Sequence, residues 1–125
     1  MGGEGGRTHV KDVLVVDDER SLRLLCRVNL ELEGHHVREA SSLAEARAEL
    51  ERATPDVILL DRQVGADDGL DLLDEIEALD LPTRVVLLSG SSEIGPELHA
   101  RVDHVLGKPF ELRQLTAAVA GVRLR

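Results

Sequence analysis

With 125 residues, 42% hydrophobic and 31% charged, the chain has the length and balance of one soluble globular domain with a sizeable core. A formal net charge of −9 argues against direct nucleic-acid binding, because phosphate contacts demand a basic face. No apolar run approaches the roughly 20 residues that span a bilayer; the N-terminus MGGEGGRTHVKD also lacks the apolar stretch of a secretion signal, so a cytoplasmic protein with no membrane partner is expected.

Residues 1–9 are Gly-rich and are expected to form a flexible tail before a domain over 10–125. GGEGG follows no strand, so it does not read as a phosphate loop. The first strand is predicted over Asp12–Val16. Leu22, Leu25, Cys26 and Leu32 then recur at helical spacing, with Gly34 as the stop signal. Cys26 is the one cysteine, which excludes an internal disulfide and points to a buried thiol. The second strand is predicted over His36–Glu39. Ser41 or Ser42 can cap a second helix carrying Leu43, Ala46 and Leu50.

Pro55 precedes a third strand, Val57–Leu60, and Leu72, Leu73, Ile76 and Leu79 mark a third helix. Pro82 precedes a fourth strand, Arg84–Leu88. The segment SSEIGPELHARVD has weak helical periodicity, and Pro96 fits the first position of a helix of a turn or two. A fifth strand, His104–Gly107, leads to a last helix with Leu112, Leu115, Val119 and Val122 on one face. Five strand–helix units with short connections imply a parallel sheet with right-handed crossovers and helices on both faces.

In open parallel sheets, ligands gather outside the carboxyl ends of the strands. Asp17, Asp18 and Glu19 follow strand one, and Asp61 follows strand three. Ser89 and Gly90 follow strand four, and Lys108 and Pro109 follow strand five. Taken singly, each is ordinary: a strand-end Asp is usually a turn or cap residue, a lone Ser opens a loop, and a lone Lys is solvated. Together they put three carboxylates, a hydroxyl and an ammonium on one edge. Carboxylates crowded within about 4–6 Å repel one another, and a hard divalent cation such as Mg2+ relieves this. A carboxylate so placed can act as a nucleophile toward phosphorus. The histidines lack zinc-ligand spacing: His35–His36 fall in a turn, and His9, His99 and His104 form no ligand set.

VLVVDDE, DVILLDRQVGADDGLDLL, VVLLSG and VLGKPF resemble the four signature segments of the response-regulator receiver family, in order and near the usual spacing. The resemblance covers residues 10 to 125. It implies a flavodoxin-like doubly wound five-stranded parallel sheet of strand order 2-1-3-4-5. It also implies a phosphoacceptor role for Asp61, with Asp18 as direct Mg2+ ligand and Asp17 acting mostly through water. Gln63 matches the residue whose backbone carbonyl is the third protein ligand. Ser89 matches the hydroxyl that bonds the phosphoryl group, Lys108 the lysine that pairs with it, and Gly69 the glycine opening the third helix. The Lys108–Pro109 bond is expected to be cis. The implied partner is a sensor histidine kinase or histidine phosphotransfer protein, with an output domain or partner protein downstream. The implied role is signalling rather than enzymatic turnover.

This sequence departs from the family at several points. Gly65 stands where proline is usual, so a more mobile loop is expected after strand three. Val105 stands where a switch aromatic is usual, and Phe110 is the chain's one aromatic residue. Ser89 and Lys108 are closer together than usual, so the fourth helix is expected to be shortened or irregular. The chain ends soon after the fifth helix and is expected to be either a stand-alone receiver or part of a longer protein. Two alternatives arise from the residues. A haloacid-dehalogenase-type phosphatase needs a second Asp two positions after its nucleophile, where Gln63 stands after Asp61. A receiver fold used for phosphorylation-independent docking or dimerisation accords with Val105 and the short fourth helix.

Overall fold

The computed structural model describes residues 10–91 and 94–122. The tail expected over residues 1–9, and Ser92 in the loop after the fourth sheet strand, lie outside them. In chain order the elements are β1 (Asp12–Val16), α1 (Arg20–Leu32), β2 (His36–Ala40), α2 (Leu43–Arg52), β3 (Val57–Asp61), β4 (Gln63–Val64), β5 (Asp67–Asp68), α3 (Leu70–Ala78), β6 (Arg84–Ser89), α4 (Pro96–Arg101), β7 (His104–Gly107) and α5 (Leu112–Ala120). Five strands form one parallel sheet in the order β2-β1-β3-β6-β7, which is the expected 2-1-3-4-5 when its own strands alone are counted.

The two faces of the sheet explain the unbroken apolar runs. Val13, Val15, Val57, Leu59, Val86 and Leu88 point to one side, where Cys26 and Leu30 of α1 and Leu115, Ala118 and Val119 of α5 cover them. Leu14, Val16, Ile58, Leu60 and Val85 point to the other, against Leu43 and Ala46 of α2 and Leu72, Leu73 and Ile76 of α3. Side chains alternate along a strand, so a strand covered on both faces must be apolar at every position.

Helix ends follow local chemistry. Gly34 (φ 95°) closes α1, donating to Glu31 O at 2.9 Å while His35 N donates to Leu30 O at 3.0 Å. This closure uses the left-handed conformation that glycine adopts at little cost. Ser42, not Ser41, caps α2, its hydroxyl accepting from Glu45 N at 3.1 Å. Arg84 at the start of β6 donates to the carbonyls of Ala118 and Val119 at 3.1 and 3.2 Å, closing the end of α5.

Four expected core leucines and one valine are placed otherwise. Leu25 and Leu32 are exposed because the buried stripe of α1 runs through Cys26 and Leu30, one turn apart. Leu79 lies past the last turn of α3, Leu112 sits on the outer side of α5, and Val122 follows Gly121, whose φ of 78° ends that helix; all three are exposed. The segment after β3 is a hairpin, β4–β5, whose register pairs Val64 with Asp67 around the turn residues Gly65 and Ala66. Gly65 (φ 62°) supplies the positive φ that such a two-residue turn requires. The fourth helix is short as expected: α4 has six residues, begins at Pro96 and buries none of them. Arg101 ties it to α3 through Asp74 (2.6 Å) and Glu77 (2.7 Å).

Candidate functional site

The parallel register brings the ends of β1, β3, β6 and β7 to one edge. Asp61 is the last residue of β3 and pairs with Leu88, and Ser89 pairs with Gly107. Lys108 N then donates to Ser89 O at 2.8 Å, which extends that pairing by one residue and starts the lysine beside the serine. The Lys108–Pro109 bond is cis.

Lys108 Nζ donates to Asp17 Oδ2 at 2.9 Å and to Asp61 Oδ2 at 3.0 Å. The second oxygen of each aspartate takes a backbone amide: Glu19 N reaches Asp17 Oδ1 at 2.8 Å, and Gln63 N reaches Asp61 Oδ1 at 3.2 Å. Asp17 is fully buried and Asp61 is 7% exposed, whereas Asp18 is exposed. One oxygen from each of the three carboxylates lies within 4.8 Å of the others.

Burial pushes the Asp61 carboxyl above its usual range, against the opposing hydrogen bonds from Lys108 and Gln63 N. Burial also disfavours the charge on Lys108, but its bonds to Asp17 and Asp61 outweigh this and hold the ammonium above its usual value. Three carboxylates, two of them buried, against one ammonium leave net negative charge at the strand ends. Among the described residues this is the one acidic group whose geometry suits a metal ion, and oxygen donors of this kind suit a hard divalent cation.

Gln63 bears on the same point. Arg62 O accepts from Gly69 N at 2.7 Å, and Gln63 pairs with Asp68 one step nearer the turn. Hydrogen-bonded pairs alternate with non-bonded pairs in an antiparallel ladder, so the Gln63 carbonyl is not used there. Its side-chain amide donates to Gly65 O at 2.9 Å. Gly69 is required by close approach: a Cβ there would lie 2.0 Å from the Asp61 carbonyl oxygen. Ser89, 2% exposed, accepts from Ser91 N at 3.1 Å and donates to Ser91 O at 3.3 Å.

The structure thus brings Asp17, Asp18, Asp61, Ser89 and Lys108 to one edge, with Gln63 on the adjoining hairpin. Val105 stands apart, half-buried in a groove of about 210 Å³ shared with His104, Gln114 and Ala117. The site has one further participant outside the expected set. Arg23 of α1 donates to the main-chain carbonyl of Asp17 at 2.8 Å. Its signal was an arginine beside the buried stripe of α1, one turn after the acidic pair, with Glu39 as an opposite charge on the next strand.

Fold and site together define a doubly wound α/β domain with an acidic, lysine-bridged pocket at its topological switch. The chain belongs to the response-regulator receiver domain family, whose model matches residues 13–120, and it is therefore a signalling domain of two-component systems. It is 34% identical over 120 residues to the alkaline phosphatase synthesis transcriptional regulatory protein PhoP of Bacillus subtilis, covering 92% of this chain and 49% of that protein. To the phosphate regulon transcriptional regulatory protein PhoB of Pseudomonas aeruginosa it is 30% identical, covering 92% of this chain and 52% of that protein. The chain therefore spans about half the length of these curated relatives.

Among solved structures, a CheY-like receiver domain protein from Methanospirillum hungatei superposes with a TM-score of 0.79 at 25% identity, covering 88% of this chain and 90% of that one. A response regulator from Burkholderia pseudomallei, with a phosphorylated aspartic acid, calcium ion and citrate, gives 0.79 at 28% identity, covering 87% of this chain and 66% of that one. No helix among the described residues is long and apolar enough to cross a membrane.

Proposed function

We propose that Asp61 accepts a phosphoryl group from a phosphohistidine on a sensor histidine kinase or histidine phosphotransfer protein, in the cytoplasm and with Mg2+. The observation that carries this is the Asp61 carboxylate itself: 7% exposed, 3.0 Å from the Lys108 ammonium, and within 4.8 Å of the oxygens of Asp17 and Asp18. The phosphorylated aspartic acid of the Burkholderia pseudomallei regulator supports it by analogy.

An Asp61 oxygen forms the new P–O bond as the donor's P–N bond breaks. The leaving imidazole nitrogen keeps the electron pair and takes a proton from solvent. Lys108 lies where it can follow negative charge from the carboxylate onto the phosphoryl oxygens, and its fixed position avoids reorganisation at that moment. The Ser89 hydroxyl is the neighbouring donor, once its bond to Ser91 O is exchanged. Asp18, Asp61 and the Gln63 carbonyl would hold Mg2+, with Asp17 joining through water. When bound, the ion supplies positive charge that offsets the carboxylates and the incoming phosphate.

Phosphorylation adds about −1.5 to −2 charges. It is expected to draw Ser89 and the following loop inward, biasing a protein-interaction surface near β6 and β7. The role is that of a switch with its own phosphorylation and dephosphorylation chemistry, working through an output domain or partner protein. Incubation with acetyl phosphate and Mg2+, followed by intact mass measurement, tests this. One phosphoryl mass is expected on the parent chain and none on Asp61→Asn; equal labelling of both, or none on either, overturns it.

A second reading, phosphorylation-independent docking, is favoured by Val105 and by an α4 that buries no residue. It predicts partner affinity unaffected by beryllofluoride plus Mg2+, which mimics the phosphoryl group.

A further inference from the structure

Arg23 is 14% exposed, and its guanidinium is committed on two sides. Nη1 donates to the Asp17 main-chain oxygen at 2.8 Å, and Nε donates to Glu39 Oε1 at 3.1 Å. Glu39 is itself held by Arg27, whose Nη1 lies 3.1 Å from its other oxygen, and its strand position opposite Val15 fixes where it starts. The fork therefore joins α1 to β2 and pins a single carbonyl at the end of β1.

That carbonyl belongs to the peptide between Asp17 and Asp18. A peptide unit is planar, so fixing its oxygen fixes the plane from which Asp18 departs. The Asp17 side chain is already held by Lys108 and Glu19 N, and Asp17 N is held by Ala40 O at 3.1 Å. Asp18 is the exposed member of the acidic trio, and the peptide that precedes it is the one whose oxygen Arg23 holds. Asp17 is also fully buried, so its carbonyl needs a partner at a point where the strand pairing has ended.

We infer that Arg23, braced by Glu39, is a positioning residue for the divalent-cation site, setting the backbone from which Asp18 reaches the metal. This deepens the reading that Asp17, Asp18 and Asp61 hold Mg2+, and it rests on that reading. Groups that orient metal ligands typically govern about 10–100-fold in metal affinity. Lysine carries the same charge but has no planar fork with which to hold carbonyl and carboxylate together.

The test is an Mg2+ titration of the 125-residue chain followed by amide NMR, which needs no phosphorylation. Arg23→Ala is expected to raise Kd at least about tenfold, and Arg23→Lys a few-fold. Arg38→Ala serves as the control for a merely structural arginine. Arg38 is buried in the middle of β2, and its guanidinium is turned away from the site, bonded to Asp12 at the start of β1 and to Glu49 and the Ala53 carbonyl at the end of α2; its loss should cost stability with Kd unchanged. A Kd for Arg23→Ala within twofold of the parent's overturns the inference. If that variant does not fold, Arg23→Lys decides by the same criterion. A parent chain that binds no Mg2+ refutes the underlying metal reading, and the role of Arg23 falls with it.

Discussion

Lys108 Nζ lies 3.0 Å from Asp61 Oδ2, a contact that joins residues 47 positions apart. The same nitrogen reaches Asp17, so one ammonium stands between two carboxylates that burial has stripped of most of their water. Lys108→Ala should therefore lower the rate of phosphorylation by acetyl phosphate by about 10²-fold or more, the scale seen when a fixed donor to developing negative charge is removed. A time course of intact mass at saturating Mg2+ measures it. A rate within threefold of the parent's would show that Lys108 has no part in the transfer.

Asp61 holds negative charge where solvation is poor, and its raised affinity for a proton has burial as its chief cause. In EDTA, Asp61→Asn should consequently melt higher than the parent, while Lys108 keeps Asp17 as a partner. Each ~1 kcal/mol so released corresponds to a rise of about 4 °C at this chain length. Differential scanning calorimetry reads the difference, and a lower Tm for the variant would contradict it.

Mg2+ should raise the Tm of the parent in a concentration-dependent way, because a ligand bound only by the folded state stabilises it by mass action. Asp18→Ala should abolish that response and leave the EDTA Tm nearly unchanged, since Asp18 is exposed. A response preserved in Asp18→Ala would remove Asp18 from the ligand set.

Gly69→Ala puts a methyl carbon 2.0 Å from the Asp61 carbonyl oxygen, and the backbone at the end of β3 must move. The expected cost is about 1–3 kcal/mol, the usual range for overpacking, together with slower phosphorylation because the displaced strand end carries Asp61. Urea unfolding gives the first, the mass time course the second.

Cys26 is sealed in the core, and burial, followed by the nearby Asp17 charge, pushes its thiol up to about 12. The unfolded thiol titrates near about 8.5. Above that value the unfolded chain loses a proton that the folded chain keeps, so stability falls as pH rises. Relative to Cys26→Ala, the parent should lose about 2 kcal/mol between about pH 8.5 and about pH 10. Parallel unfolding curves for the two proteins across that window would show that the thiol does not resist ionisation in the fold.

Much of this molecule was legible as pattern. Apolar runs such as Val57–Leu60 had to be strands covered on both faces, and the residues just after each run had to meet at one edge. Strand order came from family resemblance rather than from the runs themselves, because nothing in an apolar strand names its neighbour. Asp17, Asp18, Asp61, Ser89 and Lys108 were legible because each stands at the carboxyl end of an apolar run, where a parallel sheet gathers its polar chemistry.

The structure decided what depends on distance and direction. Which face of α1 is buried turned on helix phase, which put Cys26 and Leu30 inward and left Leu25 and Leu32 in solvent. That Lys108 bridges Asp17 and Asp61, at 2.9 and 3.0 Å, rather than pairing with Asp61 alone, depends on where the fold sets its ammonium. Arg23 gave no motif because its partner at the site is a backbone carbonyl, an atom that every residue carries. Side-chain chemistry repeats in sequence as recognisable letters, whereas a main-chain oxygen gains a role only from where the fold puts it.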